Sequence, residues 1–375
     1  MIYKNDPQKY GYYEINGHKT FSKLEAIELQ NKTGVFPEWN FNRPVFDNIN
    51  WKAAPLDVWE LYKARCKQIR AAYDYVVIFY SGGSDSENIL QAWLAADCKL
   101  DELATCWNME GSGDRDAYMN AEVDRVVFPN IKKLKDSGVD FKFRLIDITQ
   151  PTLDFIRSAG DDYNYFVAHH FSPNNIIKAQ LRERIKDYAD LINQGKSVCF
   201  VWGAEKPQIF PDGDRHYFQF FDIMDSYVNA YTQPNLKQGW YDEIFYWTPD
   251  MPEMAVAQAH TLLRFAETCD IAEFYQDTPN RYGYNRRIKK YITSNAAKTI
   301  LYPTWSNNIF CNGKPTNFIY SERDSWFWNG NADEVDKMRA LSQKYFETIG
   351  SEWINDGVNI RSGIKCHASP RYYLN

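Results

Sequence analysis

The fold of this chain is decided by residues 75–86, which read Tyr75-Val-Val-Ile-Phe-Tyr80 and then Ser81-Gly-Gly-Ser-Asp-Ser86. The first half is a continuous apolar run rich in β-formers, a pattern typical of a strand buried on both faces of a parallel sheet. Residues 87–96 then have the pattern of a helix. The stretch therefore predicts a strand, a glycine-rich turn and a helix, in that order.

Further strands and helices alternate on both sides of this stretch. Strands are predicted at residues 103–107, 141–148 and 197–202, and helices at 55–73, 119–136 and 172–192. Alternation of this kind over about 130 residues predicts an α/β fold with a parallel sheet.

The remaining segments divide the chain into three parts. Residues 1–54 are polar and irregular, and we expect an N-terminal extension that packs on the core. Residues 55–230 form the α/β domain, in which a turn at Pro211-Asp-Gly-Asp214 predicts a hairpin at an antiparallel edge. Beyond residue 231 the strand signals fade, so residues 231–375 are expected to be a helical, aromatic-rich substrate region.

The turn at residues 81–86 has the chemistry of a triphosphate site. Adjacent Gly82 and Gly83 allow a sharp turn and close approach to a ligand, and the amides at a helix N-terminus attract an anion. Asp85 would repel a bare phosphate, so its presence favours a divalent cation that bridges carboxylate and phosphates. The alternative is an ordinary helix-capping turn.

The six residues Ser81-Gly82-Gly83-Ser84-Asp85-Ser86 resemble the PP-loop of the N-type ATP pyrophosphatases, the adenine-nucleotide α-hydrolase-like superfamily. In motif the chain is most similar to the asparagine synthetase-like and PAPS reductase-like proteins. The order of strands and helices is compatible with that superfamily from about residue 73 to residue 206.

This resemblance implies a Rossmann-like, mostly parallel five-stranded sheet with ATP across the carboxyl ends of its strands. All six loop residues would hold the phosphates of ATP, and Asp85 would also hold Mg²⁺ and act in catalysis. An acceptor oxygen would attack the α-phosphorus, pyrophosphate would leave, and a nucleophile would then displace AMP.

Other candidates follow the predicted strands, since ligands of open α/β sheets bind beyond the carboxyl ends. Trp107 lies where an indole could stack on adenine, although an ordinary core tryptophan fits equally well. Lys206 lies where its charge could neutralise the α-phosphate as a catalytic residue, or form a surface ion pair with Glu205. The pair His169-His170 and the basic stretch from Arg281 to Lys290 are weaker candidates for anion binding.

Composition excludes several other classes of protein. The chain has 43 Lys and Arg against 49 Asp and Glu, a net charge of −6 in 375 residues, which does not support nucleic acid as a partner. Its apolar runs are far shorter than the roughly 20 residues that span a bilayer. The seven cysteines show no C-x-x-C spacing, so neither disulfides nor a zinc site is expected. We expect a cytoplasmic protein without a membrane partner; the sequence leaves homo-oligomerisation open.

Three functions fit these observations. The first is an ATP-dependent, AMP-forming enzyme that adenylates a carboxylate or carbonyl acceptor for C–N bond formation. The second is a sulfur-transfer or PAPS reductase-like enzyme, for which Cys366-His367 near the C-terminus is the relevant feature. The third is a nucleotide-binding module that has lost catalysis. The sequence does not identify the acceptor.

Overall fold

The computed structural model describes most of the α/β region and parts of both flanks. It covers residues 9, 11–53, 56–108, 122–158, 185–203, 207, 209–220, 239–268, 294–305, 325–328, 333–338, 340, 353–355, 360–362 and 368–375. Its strands are β1 (Tyr12–Ile15), β2 (His18–Thr20), β3 (Glu38–Asn40), β4 (Tyr75–Phe79), β5 (Glu102–Trp107), β6 (Lys142–Asp147), β7 (Val198–Trp202), β8 (Ile209–Asp212), β9 (Arg215–Phe218), β10 (Trp240–Ile244), β11 (Trp353–Asn355), β12 (Ile360–Ser362) and β13 (Tyr372–Tyr373).

The helices lie between these strands and beyond them. They are α1 (Lys23–Thr33), α2 (Arg43–Phe46), α3 (Val58–Ala72), α4 (Ser84–Ala95), a π-helical turn (Val123–Val127) continued by α5 (Phe128–Asp136), α6 (Thr149–Ser158), α7 (Lys186–Asn193), α8 (Pro252–Thr268), α9 (Ser294–Leu301) and α10 (Ser325–Trp328). None of the helices in the described part of the chain has the length and apolar composition needed to cross a bilayer.

The central sheet contains five described strands in the order β10-β7-β4-β5-β6, and every neighbouring pair is parallel. Renumbered by their order along the chain, these strands run 3-2-1-4-5 across the sheet, as in the first five strands of a Rossmann-like fold. The predicted α/β class with a five-stranded sheet is therefore confirmed, and the sheet is entirely parallel.

Helices cover both faces of this sheet because alternate residues of its strands are apolar on each side. Val76 and Ile78 of β4 belong to the large cluster that also contains the buried faces of α3 and α4. Val77 points the other way and packs with Phe200 and with Tyr188 of α7. The continuous apolar run at residues 75–80 is the sequence signature of this double burial.

The prediction that strands fade beyond residue 231 is wrong, because β10 forms an edge of the central sheet. Its charged residue Glu243 is fully buried, and its carboxylate lies 2.7 Å from Lys9 Nζ and 2.6 Å from Arg65 Nη2. Burial alone would raise the pKa of Glu243, but the two cations lower it to about 2. Strand β10 therefore carries a charge that distant residues neutralise, and its local pattern did not indicate a buried strand.

The prediction of an irregular N-terminal segment is also wrong. Strands β1, β2 and β3 form an antiparallel sheet in the order β2-β1-β3, with α1 between β2 and β3. The turn between β1 and β2 is Asn16-Gly17, with both residues at positive φ. An Asn-Gly pair between alternating strands is a strong hairpin signal, so the sequence did carry this information.

The hairpin predicted around Pro211–Asp214 is confirmed, but its expected place is wrong. Strands β8 and β9 pair antiparallel across this turn, and β9 also pairs with β13. These strands form a separate three-stranded sheet in the order β13-β9-β8. The hairpin is therefore not an edge of the central sheet. Strand β13 adds Tyr372–Tyr373 to the sheet that the hairpin forms.

Candidate functional site at the carboxyl ends of the central strands

The loop at residues 81–86 directly follows Tyr80, which is the first residue beyond the carboxyl end of β4. From β4 the chain continues to β5 on one side, while β7 pairs with β4 on the other. The strand order reverses at this position, and the crevice outside such a reversal is where open α/β sheets bind ligands. The fold therefore places the loop where a ligand site is expected.

The backbone of the loop needs glycine at its second position. Gly82 has a φ of +78°, and a Cβ placed there would lie 3.0 Å from Val127 Cγ2 and 3.1 Å from the carbonyl oxygen of Glu122. The π-helical turn thus packs directly against the loop. Gly83 follows as the N-cap of α4 and provides no side-chain cap, so the helix begins without the hydroxyl or carboxylate that usually satisfies its first amides.

The serines at the two ends of the loop bond to each other and to its backbone. The Ser81 amide donates to Ser86 Oγ at 3.2 Å, and the two hydroxyl oxygens are 3.3 Å apart. The Ser86 hydroxyl donates to the carbonyl oxygen of Gly83 at 3.0 Å. Ser84 is buried at the start of α4. These bonds close the loop into a compact turn and fix the direction of the first turn of α4.

Asp85 lies between the ends of β4 and β7. A Cβ placed on Gly203, the residue after β7, would lie 3.0 Å from Asp85 Cβ. The Tyr302 hydroxyl donates to Asp85 Oδ1 at 2.5 Å, and the Tyr246 hydroxyl donates to the Asp85 carbonyl oxygen at 2.8 Å. Two tyrosines from distant parts of the chain therefore hold this residue by its side chain and by its backbone.

The tyrosine cluster, defined as Tyr62, Tyr246 and Tyr302, forms a buried wall beside Asp85. The rings of Tyr246 and Tyr302 are stacked with centroids 5.4 Å apart, and Tyr62 meets Tyr246 edge-on at 5.5 Å. Burial raises the pKa of all three phenols well above the ordinary value, and the charge of Asp85 raises it further. At neutral pH the three hydroxyls are therefore protonated and can donate hydrogen bonds.

The structure describes some of the other predicted site residues and not others. Trp107 ends β5 and is partly buried, with its ring edge-to-face against Phe128 at 6.1 Å. It is thus at the carboxyl end of the sheet, packed on α5. Outside the described residues lie the catalytic candidate Lys206, its neighbour Glu205, the pair at 169–170, the basic stretch at 281–290 and Cys366-His367.

Sequence reasoning missed several residues that shape this site. Glu122, the residue before the π-helical turn, approaches the loop at Gly82. Tyr246 and Tyr302 contact Asp85 from 161 and 217 positions further along the chain. No local pattern connects residues so far apart in the chain. Gly203 did carry a signal, since a glycine directly after a predicted strand indicates close approach of another segment.

The carboxylates at the loop supply only some of the ligands that a bound cation needs. Within the described ranges there is no group of three or more His, Cys, Asp and Glu side chains that could hold a metal ion. Asp85 is in the loop, and Glu122 Oε1 lies 3.9 Å from the position of a Cβ on Gly83. Because Mg²⁺ is commonly held by one or two carboxylates together with substrate phosphates, these residues fit a Mg²⁺ that arrives with a nucleotide.

Charged residues elsewhere on the sheet are engaged in structural pairs. Glu102, the first residue of β5, is fully buried and accepts from Arg144 Nε at 2.7 Å and from the Tyr188 hydroxyl at 2.6 Å. Burial and the charge of Glu102 raise the pKa of Tyr188. This cluster is at the amino end of the strands, opposite the loop, where it stabilises the packing of α7 on the sheet.

Comparison with protein families and with curated proteins identifies no relative of this chain. No protein-family model matches the chain, and a search of curated proteins found no match. The resemblance to the ATP pyrophosphatases therefore rests on the sequence of residues 81–86 and on the place of that loop in the sheet.

Proposed function

We propose that this protein binds ATP at residues 81–86 and is an AMP-forming enzyme that adenylates a carboxylate or carbonyl acceptor. Pyrophosphate would be released, and the adenylate would then be used for C–N bond formation. The observation that carries the proposal is the position of the loop, at the point of the sheet where the strand order reverses.

The start of α4 supports a phosphate ligand. A helix N-terminus carries a partial positive charge and unsatisfied amides, and here Gly83 supplies no side-chain cap. Gly83 is partly exposed, and the absence of a Cβ there keeps its backbone accessible at close range. A polyphosphate tail would accept hydrogen bonds at this helix N-terminus, where the N-cap residue offers no side-chain acceptor.

The acidic groups support a cation between protein and phosphate. Asp85 is in the loop and the Glu122 carboxylate approaches it. Two carboxylates beside a polyphosphate repel it unless a cation separates them. Bound Mg²⁺ would neutralise charge that develops on the leaving pyrophosphate. Asp85 would hold it, and the hydroxyls of Tyr246 and Tyr302 would orient Asp85.

The cysteines in the described ranges favour this proposal over sulfur transfer. Burial raises the pKa of the Cys66 and Cys199 thiols well above the ordinary value, and burial also raises the pKa of Cys98. A reactive cysteine needs a lowered pKa and solvent access. A sulfur-transfer function would thus depend on Cys106 or on cysteines outside the described residues.

The proposal is tested by product analysis with α-labelled ATP and Mg²⁺ over a panel of carboxylates, amides and amines. We expect AMP and pyrophosphate, and formation of ADP and phosphate would overturn the mechanism. Binding of ATP without any turnover would favour the third function, a nucleotide-binding module.

A matched pair of variants assigns the activity to the loop. Asp85→Asn should lower turnover roughly 100-fold or more, as expected when a group that stabilises transition-state charge is removed. Asp214→Asn, in the exposed turn of the β8–β9 hairpin, makes the same chemical change away from the loop and should leave turnover unchanged. Equal activity of the two variants would remove Asp85 from the mechanism.

A further inference from the structure

The hydroxyl of Tyr302 makes a short, charge-assisted contact with the loop. It donates to Asp85 Oδ1 at 2.5 Å, at the short end of the range for a hydroxyl on a carboxylate. Tyr302 is fully buried, whereas Asp85 is only partly buried. A hydrogen bond to Oδ1 fixes the rotation of the carboxylate, and it thereby also fixes the position of Oδ2.

The position of the Tyr302 hydroxyl is itself fixed from several directions. The Tyr302 amide donates to the carbonyl oxygen of Lys298 at the end of α9. Its ring stacks on Tyr246, whose hydroxyl bonds the Asp85 backbone. Asp85 Oδ1 is therefore held by a donor that cannot move without repacking the cluster.

We propose that Tyr302 is a positioning residue for the metal-nucleotide site: it orients the Asp85 carboxylate so that it can ligate the cation carried by ATP. This inference rests on the proposed function and adds a residue from the segment after α9 to that site. Hydrogen-bond partners of metal-ligating side chains orient the ligand and raise affinity for the metal. Loss of the Tyr302 hydroxyl should therefore weaken metal binding more than nucleotide binding.

Tyr62 provides a matched control within the same cluster. Its ring contacts Tyr246 and Tyr302, but its hydroxyl donates to Gln258 Oε1 at 3.2 Å and not to Asp85. Tyr62→Phe and Tyr302→Phe each remove one buried hydroxyl from one packed group. A purely structural role for the cluster predicts similar effects of the two changes, whereas a positioning role predicts an effect at Tyr302 alone.

The experiment measures Mn²⁺ binding by electron paramagnetic resonance in the presence of α,β-methylene-ATP, which cannot release pyrophosphate. In Tyr302→Phe we expect Mn²⁺ affinity to fall about 10- to 100-fold. Affinity for the analogue in EDTA should be unchanged, and Tyr62→Phe should match the wild-type protein in both measurements. Circular dichroism melting confirms that each variant is folded.

Each outcome has a distinct meaning. Equal Mn²⁺ affinity in Tyr302→Phe and wild type, or an equal loss in Tyr62→Phe, overturns the inference while the proposed function stands. A wild-type protein that binds no analogue with or without metal overturns the proposed function and this inference with it.

A second measurement needs no substitution that could prevent folding. With 3-fluorotyrosine incorporated at position 302 or at position 62, fluorine NMR follows each ring in the otherwise unchanged chain. Addition of Mg²⁺ to the analogue complex should shift the signal from position 302 more than that from position 62. Equal shifts, or none at position 302, overturn the inference.

Discussion

Alanine substitutions at Gly82 and, for comparison, at Gly138 separate two contributions to the free energy of unfolding. One is the cost of the backbone conformation, and the other is the cost of packing at the loop. Gly82 has a φ of +78° and Gly138 has a φ of +79°, so alanine meets the same backbone penalty at both positions. That penalty is about 1–2 kcal/mol for a residue other than glycine in the left-handed region. The two sites differ in their surroundings, because nothing lies within 4 Å of a Cβ on Gly138.

The packing contribution at Gly82 can be worked out from three contacts. A Cβ there would lie 3.0 Å from Val127 Cγ2, 3.1 Å from the Glu122 carbonyl oxygen and 3.2 Å from Val126 Cβ. Overpacking of this kind costs about 1–3 kcal/mol. We therefore expect a loss of unfolding free energy of about 1–2 kcal/mol for Gly138→Ala and roughly 2–5 kcal/mol for Gly82→Ala.

Urea denaturation of the two variants and the wild-type protein measures this difference, and calorimetry with ATP and Mg²⁺ measures its consequence. Gly82→Ala should bind ATP more weakly than wild type, because the loop must move away from the π-helical turn. Gly138→Ala, beyond the end of α5, should bind normally. Equal destabilisation by the two substitutions would refute the packing argument, and normal ATP binding by Gly82→Ala would refute the role of the loop.

Two further predictions concern the buried charge of β10 and the contact behind Asp85. Because Lys9 and Arg65 lower the pKa of Glu243 from 4.5 to about 2, its ionisation stabilises the fold by about 3 kcal/mol above pH 4.5. This stabilisation is lost as the pH falls from 4.5 towards 2. Glu243→Gln should flatten the fall in unfolding free energy, measured by denaturation between pH 6 and pH 3; parallel curves for variant and wild type would contradict this. Gly203→Ala should displace Asp85, whose Cβ is 3.0 Å from the new methyl group, and weaken ATP binding in the presence of Mg²⁺ but not in EDTA; an equal loss in both conditions would contradict it.

The part of the fold that local patterns determine could be predicted from the sequence. Strand β4 was predicted at residues 75–80 and observed at Tyr75–Phe79, and β7 was predicted at 197–202 and observed at Val198–Trp202. Both are continuous apolar runs, so their local sequence alone indicates burial on two faces. The helix after the loop was predicted at residues 87–96 and is observed at Ser84–Ala95, so the second half of the predicted turn is the first turn of α4.

The parts that were missed depend on contacts between distant residues. Strand β10 contains Asp242 and Glu243, which a local pattern places at the surface. In the fold Asp242 accepts from Trp202 Nε1 at 2.8 Å, and Glu243 is neutralised by Lys9 and Arg65. The same holds at the site, where the loop was predicted from six consecutive residues but Tyr302 is 217 positions away from Asp85.

The pairing of Lys9 with Glu243 also has a consequence for biosynthesis. The two residues are separated by 234 positions, and ribosomes add about 5–20 residues per second. Lys9 is therefore synthesised roughly ten to fifty seconds before Glu243. Late in that interval, between the synthesis of residue 202 and that of residue 240, the nascent polypeptide has four of the five described central strands and an unpaired β7 edge, and an unpaired strand edge is prone to aggregation.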